Sequence, residues 1–303
     1  MTGLFDLFSN DLLPIFLIAG TGFLLAKQFK LPARPLSQVI FYIFSPALVF
    51  NLITASQLNG EEILRMMLFA TLVVMVVGGL TYMIGRLINL NRRILSAMIL
   101  TSMLMNAGNF GLSVNLFAFG EDALAYASLF FVTSAIMTYT LGVLVASMGT
   151  VNFGQAMLNL LKLPTIYALA LAFIFLRTGW KLPLPLARTT TLLADASIPA
   201  MLVLLGFQFQ SVDWSGMLVP LAISNGMRLL IGPVLAIALS LMLGLQGAAR
   251  QAGILEAAMP TAVMTTVIAT EYDVEPSFVT SVVFISTILS SITLTPLLAY
   301  LGG

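Results

Sequence analysis

The chain reads as an all-α integral membrane protein, with ten transmembrane helices arranged as two inverted five-helix repeats. Three observations predict this. Of 303 residues, 59% are hydrophobic and 8% charged, where a soluble domain carries about a quarter charged residues. Apolar segments of about 20 residues, the length of one bilayer crossing, follow each other along nearly the whole chain. The same helix breakers recur half a chain apart: Ser45-Pro46-Ala47 is answered by Ser197-Ile198-Pro199-Ala200, and Gly108 by Pro260.

Polar breaks place the ten helices at 11–29, 36–57, 63–88, 94–119, 123–148, 164–179, 186–211, 215–245, 250–271 and 276–301. The first lacks a basic leader and a small-residue cleavage pattern, so it is expected to be retained. Pro14, Pro32, Pro35 and Pro164 read as helix-start punctuation. The sixth helix is short, ending at Arg177 and Trp180, and leans on flanking residues to span. The longest polar break, 149–163, holds Asn152, Gly154, Gln155 and Lys162, and separates a first repeat at 1–148 from a second at 164–303.

Sliding one half onto the other supports the division. Leu13-Pro14 falls on Leu163-Pro164, Ser45 on Ser197, Gly108 on Pro260, and Gly120-Glu121-Asp122 on Tyr272-Asp273-Val274. An odd number of helices per repeat inverts the second copy, which relates the halves by a pseudo-two-fold axis in the membrane plane. Helix breaks at matching depth in an inverted repeat are the sequence sign of a secondary transporter.

Lys27, Lys30, Arg34, Arg86, Arg92, Arg93 and Lys162 fall on one side of this topology, and Arg65, Arg177, Lys181, Arg188 and Arg250 on the other. The positive-inside rule then gives a multi-pass protein of the cell membrane with both termini extracytoplasmic. The second half alone favours the opposite orientation, because it copies the basic first loop. The absence of Cys excludes disulfides and thiolate sites, and the absence of His removes the usual general base. A net charge of +1 supplies no field for nucleic acid.

Three ionisable residues lie deep in apolar segments: Asp195, Arg228 and Glu256. A charge in mid-membrane costs a few kcal/mol or more, which makes each a functional candidate. Asp195 precedes Pro199 by four residues and Glu256 precedes Pro260 by four, so each carboxylate shares a turn with a carbonyl that the proline cannot satisfy. These oxygens suit a Na⁺ ion, with Glu256 as its ligand, or a proton carried on the carboxylate. The alternative is a buried ion-pair network joining both carboxylates to Arg228. Arg228 follows Asn225 by three residues, and it suits either a solute carboxylate or Asp195.

Asn106-Ala107-Gly108-Asn109-Phe110-Gly111 is poor in helix formers and rich in amide groups, so helix 4 is expected to break there. Met259-Pro260-Thr261-Ala262 stands at the matching place, followed by Thr265 and Thr266. Two half-helix N-termini meeting at mid-membrane present free N–H groups and positive dipole ends to an anion. The plainer reading is close helix packing at small residues. Ser128 and Thr133, with Ser134 and Thr138, either bond their own helix or complete a cation site. Asn51 is expected in the same cavity.

These segments resemble the auxin efflux carrier family, including bacterial members described as permeases for malate, malonate and related acids. The resemblance rests on Leu13-Pro14-Ile15-Phe16 through Gly22-Phe23, Ser45-Pro46-Ala47-Leu48-Val49-Phe50, Asn109-Phe110-Gly111, Ser197-Ile198-Pro199-Ala200 and Thr293-Leu294-Thr295-Pro296, in that order. It implies a panel of helices moving against a core, with broken helices 4 and 9 crossing near the substrate. In plant members the helix 4 break is a proline followed by asparagine, which Gly108-Asn109 resembles with glycine in place of proline. The plant proteins' large cytoplasmic loop is absent.

A more distant likeness, to the fold of bile acid sodium symporters and sodium–proton antiporters, implies a helix 9 carboxylate for sodium, with Glu256 as its counterpart. The expected partners are a small carboxylate solute and the lipid bilayer, with a homodimer as one assembly and no nucleic acid. No cofactor is expected beyond Na⁺ or H⁺ as coupling ion. A channel lacks a continuous polar stripe here, and an intramembrane hydrolase lacks paired aspartates or a serine with histidine. A sensor built on a transporter fold is the remaining alternative.

Overall fold

The computed structural model describes residues 3–56, 58–147, 163–209 and 216–302. Among these, the chain is helical: α1 Leu4–Phe29, α2 Ala33–Ala55, α3 Gly60–Leu87, α4 Arg92–Met103, α5 Ala107–Ala146, α6 Pro164–Thr178, α7 Leu184–Gln208, α8 Leu218–Met242, α9 Gly247–Ala257, α10 Met264–Glu271 and α11 Pro276–Gly302. Seven of them, α1, α2, α3, α5, α7, α8 and α11, are long and apolar enough to cross a membrane, and α6 is a shorter apolar helix. The joint expected at 149–163 lies outside the described residues except for Leu163. Residues 148, 210, 211 and 215, at the expected ends of segments 123–148, 186–211 and 215–245, lie outside them too.

Proline governs local helix form here. Pro14, Pro46 and Pro233 each stand two residues beyond a π-helical stretch, at Phe8–Leu12, Ile40–Phe44 and Met227–Ile231. A proline has no N–H and its ring crowds the carbonyl four residues back. The wider π turn makes room for the ring, and the helix runs on. Pro46, expected as a helix break, is therefore absorbed within α2, and Pro14 lies inside α1 rather than at its start. Pro199 has a milder effect: one turn residue, Ala196, interrupts α7 between Leu184–Asp195 and Ser197–Gln208.

True breaks occur elsewhere. At 40 residues α5 is about twice the length of one crossing, and it bends at Gly120, whose φ of 76° suits glycine. The expected segment 94–119 is found as α4 plus the first arm of α5, and 123–148 as its second arm. The expected segment 250–271 is found as α9 and α10, separated by an extended stretch.

Packing relates the halves reciprocally. α1 lies along the second half of α7, while α6 lies along the second half of α2. The α1–α7 contact is close because a Cβ on Gly22 would strike the carbonyl of Val203, and one on Gly206 the carbonyl of Ala19. α3, α4, α5, α8, α9, α10 and α11 make the remaining body. Side chains such as Leu17, Leu24, Met83, Leu192 and Ile292 point outward, forming the apolar surface that lipid requires.

Contacts at the helix ends orient the body. Arg93, at the start of α4, pairs with Asp273 beyond the end of α10 at 2.8 Å. Tyr126 donates to Glu62 at 2.9 Å, Arg65 donates to the carbonyl of Gly244, and Arg250 donates to Tyr300 at 2.6 Å. The first contact marks one end of the molecule and the other three the opposite end. α4 with the first arm of α5 thus runs antiparallel to α9 with α10.

Candidate functional site

Where these two broken helices meet, the chain is extended on both sides. α4 ends at Met103 and α9 at Ala257, and Met105 and Thr261 face each other as an antiparallel bridge. The Asn106 N–H donates to the Pro260 carbonyl at 2.7 Å, and the Ala262 N–H to the Leu104 carbonyl at 2.9 Å. Each interrupted helix thereby satisfies backbone groups that the other leaves open, the condition for irregular backbone at membrane depth. The break in helix 4 is Leu104–Asn106, not Gly108: Gly108 belongs to the first turn of α5, which is π-helical over Ala107–Leu112. Thr261 is locked in place, its N–H bonded to Ser286 Oγ at 3.1 Å and its hydroxyl donating to the Thr101 carbonyl at 2.8 Å.

Arg228 holds the two C-terminal ends of the break. It is fully buried in the π turn of α8 and donates to the carbonyl of Ser102 at 2.8 Å and to that of Ala257. A cation at two helix C-termini meets two negative dipole ends. The expected pairing with Asp195 does not match this placement, and the buried Nε of the guanidinium has no protein partner. Asp195 is exposed, and neither it nor Glu256 forms an ion pair with Arg228. The structure therefore does not contain the buried ion-pair network as an alternative. Asn225 bonds its own helix at Leu221.

Glu256 is fully buried, and its Oε1 accepts from Asn115 Nδ2 at 3.0 Å. Asn115, also fully buried, gives its other amide hydrogen to the Gly111 carbonyl at 2.9 Å. Gly111 packs directly on the carboxyl, where any Cβ would overlap both oxygens. The Glu256 carbonyl, expected to be free because of Pro260, accepts from the Met259 N–H at 3.2 Å. Ser128 and Thr133, the other expected ion ligands, bond their own helix at Ala125 and Leu129. Asn115 was not singled out from sequence; its one signal is an amide four residues after Gly111, on the helix face that meets α9.

Two cavities flank the crossing. One, of about 150 Å³, is lined by Asn106, Gly108 and Asn109 at the start of α5, by Ala262–Met264 at the start of α10, and by Ser45 and Tyr139. Both half-helix N-termini thus open onto one space, and the buried Asn106 Nδ2 reaches no protein acceptor. The other, of about 750 Å³, is lined by Asn51, Glu121, Lys181, Thr191, Asp195 and Pro199 among others.

The linings divide cleanly. α2 contributes Ser37–Ser45 to the small cavity and Leu48–Ala55 to the large one, while α7 contributes Met201–Gln208 to the small and Ala187–Pro199 to the large. Asn51, expected beside Asn109, is instead in the large cavity, where it donates to Thr191 at 3.3 Å. Asp195 lies there as well, whereas Glu256 lines neither cavity.

The profile of the family described as membrane transport protein matches residues 7–152 and 148–298. An uncharacterized transporter of Methanothermobacter thermautotrophicus is 26% identical over 86% of this chain and 87% of its own length. An uncharacterized transporter of Methanocaldococcus jannaschii is 27% identical over 85% of this chain and 86% of its own length. A probable auxin efflux carrier component 1b of Oryza sativa subsp. japonica is 31% identical over 45% of this chain and 26% of its own length. With a broken-helix crossing at its centre and the family profile matched along nearly its whole length, the chain belongs to the membrane transport protein family that includes the auxin efflux carriers.

Proposed function

We propose that the protein is a secondary active carrier of small organic acid anions, working by alternating access and coupled to H⁺ or Na⁺ at Glu256. The observation that carries the reading is the stack of two cavities on either side of the crossing, bounded by the same two helices, α2 and α7. A carrier needs such a pair of access spaces and a barrier between them that can change sides. The reciprocal packing of α1 on α7 and α6 on α2 supports two inverted five-helix repeats, with α4 and α5 counted as helices 4 and 5 and α9 with α10 as helix 9. In this reading α1, α2, α6 and α7 form the panel that moves against the rest.

The solute carboxylate binds in the small cavity. There the N-termini of α5 and α10 supply N–H groups and positive dipole ends, and Asn106 and Asn109 supply amide donors. Arg228 contributes from behind, by neutralising the opposite ends of α4 and α9. The small cavity lies toward the end that carries Arg86, Arg92 and Arg93, which the positive-inside rule assigns to the cytoplasm, with both termini outside.

The test is uptake of a panel of labelled mono- and dicarboxylates into proteoliposomes, with Na⁺ and pH gradients imposed separately. Saturable uptake against a solute gradient, driven by one of the two ions, is the expected result. Non-saturating currents, the signature of a channel, contradict the reading.

A further inference from the structure

Two buried oxygens at the crossing lack any hydrogen-bond partner: Glu256 Oε2 and Asn115 Oδ1. They belong to the same pair of side chains, already joined by the bond from Asn115 Nδ2 to Glu256 Oε1 at 3.0 Å. An amide and a carboxylic acid pair through two bonds, N–H to one carboxyl oxygen and O–H from the other back to the amide oxygen. A proton on Oε2, donated to Asn115 Oδ1, would give both orphaned atoms a partner at once.

We propose that the coupling ion is a proton held on Glu256 Oε2, donated to Asn115 Oδ1, and that Asn115 is the positioning residue that makes this site select H⁺ over Na⁺. The inference rests on the carrier reading above and specifies its ion. A cation in place of the proton asks for a shell of several oxygens, whereas the side-chain hydrogen bond to the carboxyl comes from the amide of Asn115, and the hydroxyls of Ser128 and Thr133 bond elsewhere. Gly111, packed against the carboxyl, leaves no room on that face.

Charged groups around the site are distant or turned elsewhere. Of the helices packed on α9, α3 carries Glu61, Glu62, Arg65 and Arg86 toward its ends, α5 carries Glu121 and Asp122 at its bend, and α11 carries none. Arg228 on α8 contacts the carbonyl of Ala257, next along from Glu256, and Arg250 on α9 itself bonds Tyr300. No tyrosine of these helices hydrogen-bonds to the carboxyl in the described residues. In the ionised state Oε2 is a buried negative atom without a donor, which is the unstable member of the pair. Loading is proton uptake onto Oε2, and release returns the carboxylate when the panel moves.

Difference infrared spectroscopy of the purified protein in lipid nanodiscs tests this without any solute. A carboxylic-acid C=O band that titrates with pH is expected in the wild type and absent in Glu256→Gln, whose amide rebuilds both bonds and mimics the protonated site. Because Asn115 makes two bonds to the protonated acid and one to the carboxylate, Asn115→Ala should move the titration midpoint downward by about one pH unit; Asn115→Ser serves if the alanine variant does not fold. Exchanging choline for Na⁺ should leave the midpoint in place. Loss of the band on adding Na⁺ at constant pH, or a midpoint unmoved by either Asn115 variant, overturns the proposal. Failure of the uptake assay with an intact titrating band would instead count against the carrier reading.

Discussion

The guanidinium of Arg228 donates to the carbonyl of Ser102 at 2.8 Å, across 126 residues of chain. With its second bond, to Ala257, it ties the C-terminal ends of both interrupted helices to α8. Replacement by Met leaves two buried carbonyls without donors, at a cost of about 3 kcal/mol or more. The variant should show a clearly lower apparent melting temperature by size-exclusion chromatography after heating. Arg228→Lys should recover part of the loss, since a single ammonium cannot present the planar fork that reaches both carbonyls.

Gly111→Ala should disable Glu256 while sparing most of the fold. Its Cβ falls against both carboxyl oxygens, one of which is held by Asn115, whereas the Cβ of Gly108→Ala meets the edge of the Phe131 ring at 2.8 Å, and a ring can turn aside. Ion-driven accumulation should fall at least about tenfold in Gly111→Ala, equivalent to ~1.4 kcal/mol, and much less in Gly108→Ala. Equal effects in the uptake assay would refute the difference.

Gly206→Ala tests the α1–α7 contact. The added Cβ meets backbone atoms of Ala19 and Phe23, which cannot rotate away as a side chain can. The expected loss is about 1–3 kcal/mol of stability, read as a drop in melting temperature. Gly79→Ala on α3 has nothing within 4 Å of its Cβ and serves as the neutral comparison.

Asn109→Ala should weaken solute binding about tenfold, the loss of one hydrogen bond to a charged group. A binding titration with the transported acid measures it. Asn51→Ala, in the other cavity, should leave that affinity within about twofold at equilibrium.

Asp195→Asn should alter solute entry and not ion coupling. The carboxylate is exposed in the large cavity, on the other side of the proline level from the small one. The apparent KM measured from that side should change, while the steady accumulation ratio should not. A collapsed accumulation ratio would return Asp195 to the coupling machinery.

Much of the fold is legible in the sequence because membrane insertion is decided by local hydropathy. The apolar segments, the Gly120 bend and the interruption before Pro260 all follow from residues read in a short window. Glu256 and Arg228 stand out for the same reason, as lone charges in apolar runs. Pro46 misleads at this level, since nothing in Ser45-Pro46-Ala47 distinguishes a broken helix from one that widens into a π turn at Ile40–Phe44. The helix 4 break likewise moves from Gly108 to Leu104–Asn106, because the extended strand is chosen by its partner at Pro260 and Ala262.

What the sequence by itself determined is the class of protein, the placement of most apolar segments and the depth at which two of them are interrupted. Only the tertiary structure decided which polar group meets which. Asn115 reaches Glu256 across 141 residues, Arg228 turns to backbone carbonyls rather than to Asp195, and Asn51 joins Thr191 rather than Asn109. Hydropathy sums over neighbours in the chain, but the satisfaction of a buried donor or acceptor depends on whichever helix packs against it. In a chain with so few polar side chains, those long-range pairings set Glu256 apart from the small cavity at the helix N-termini.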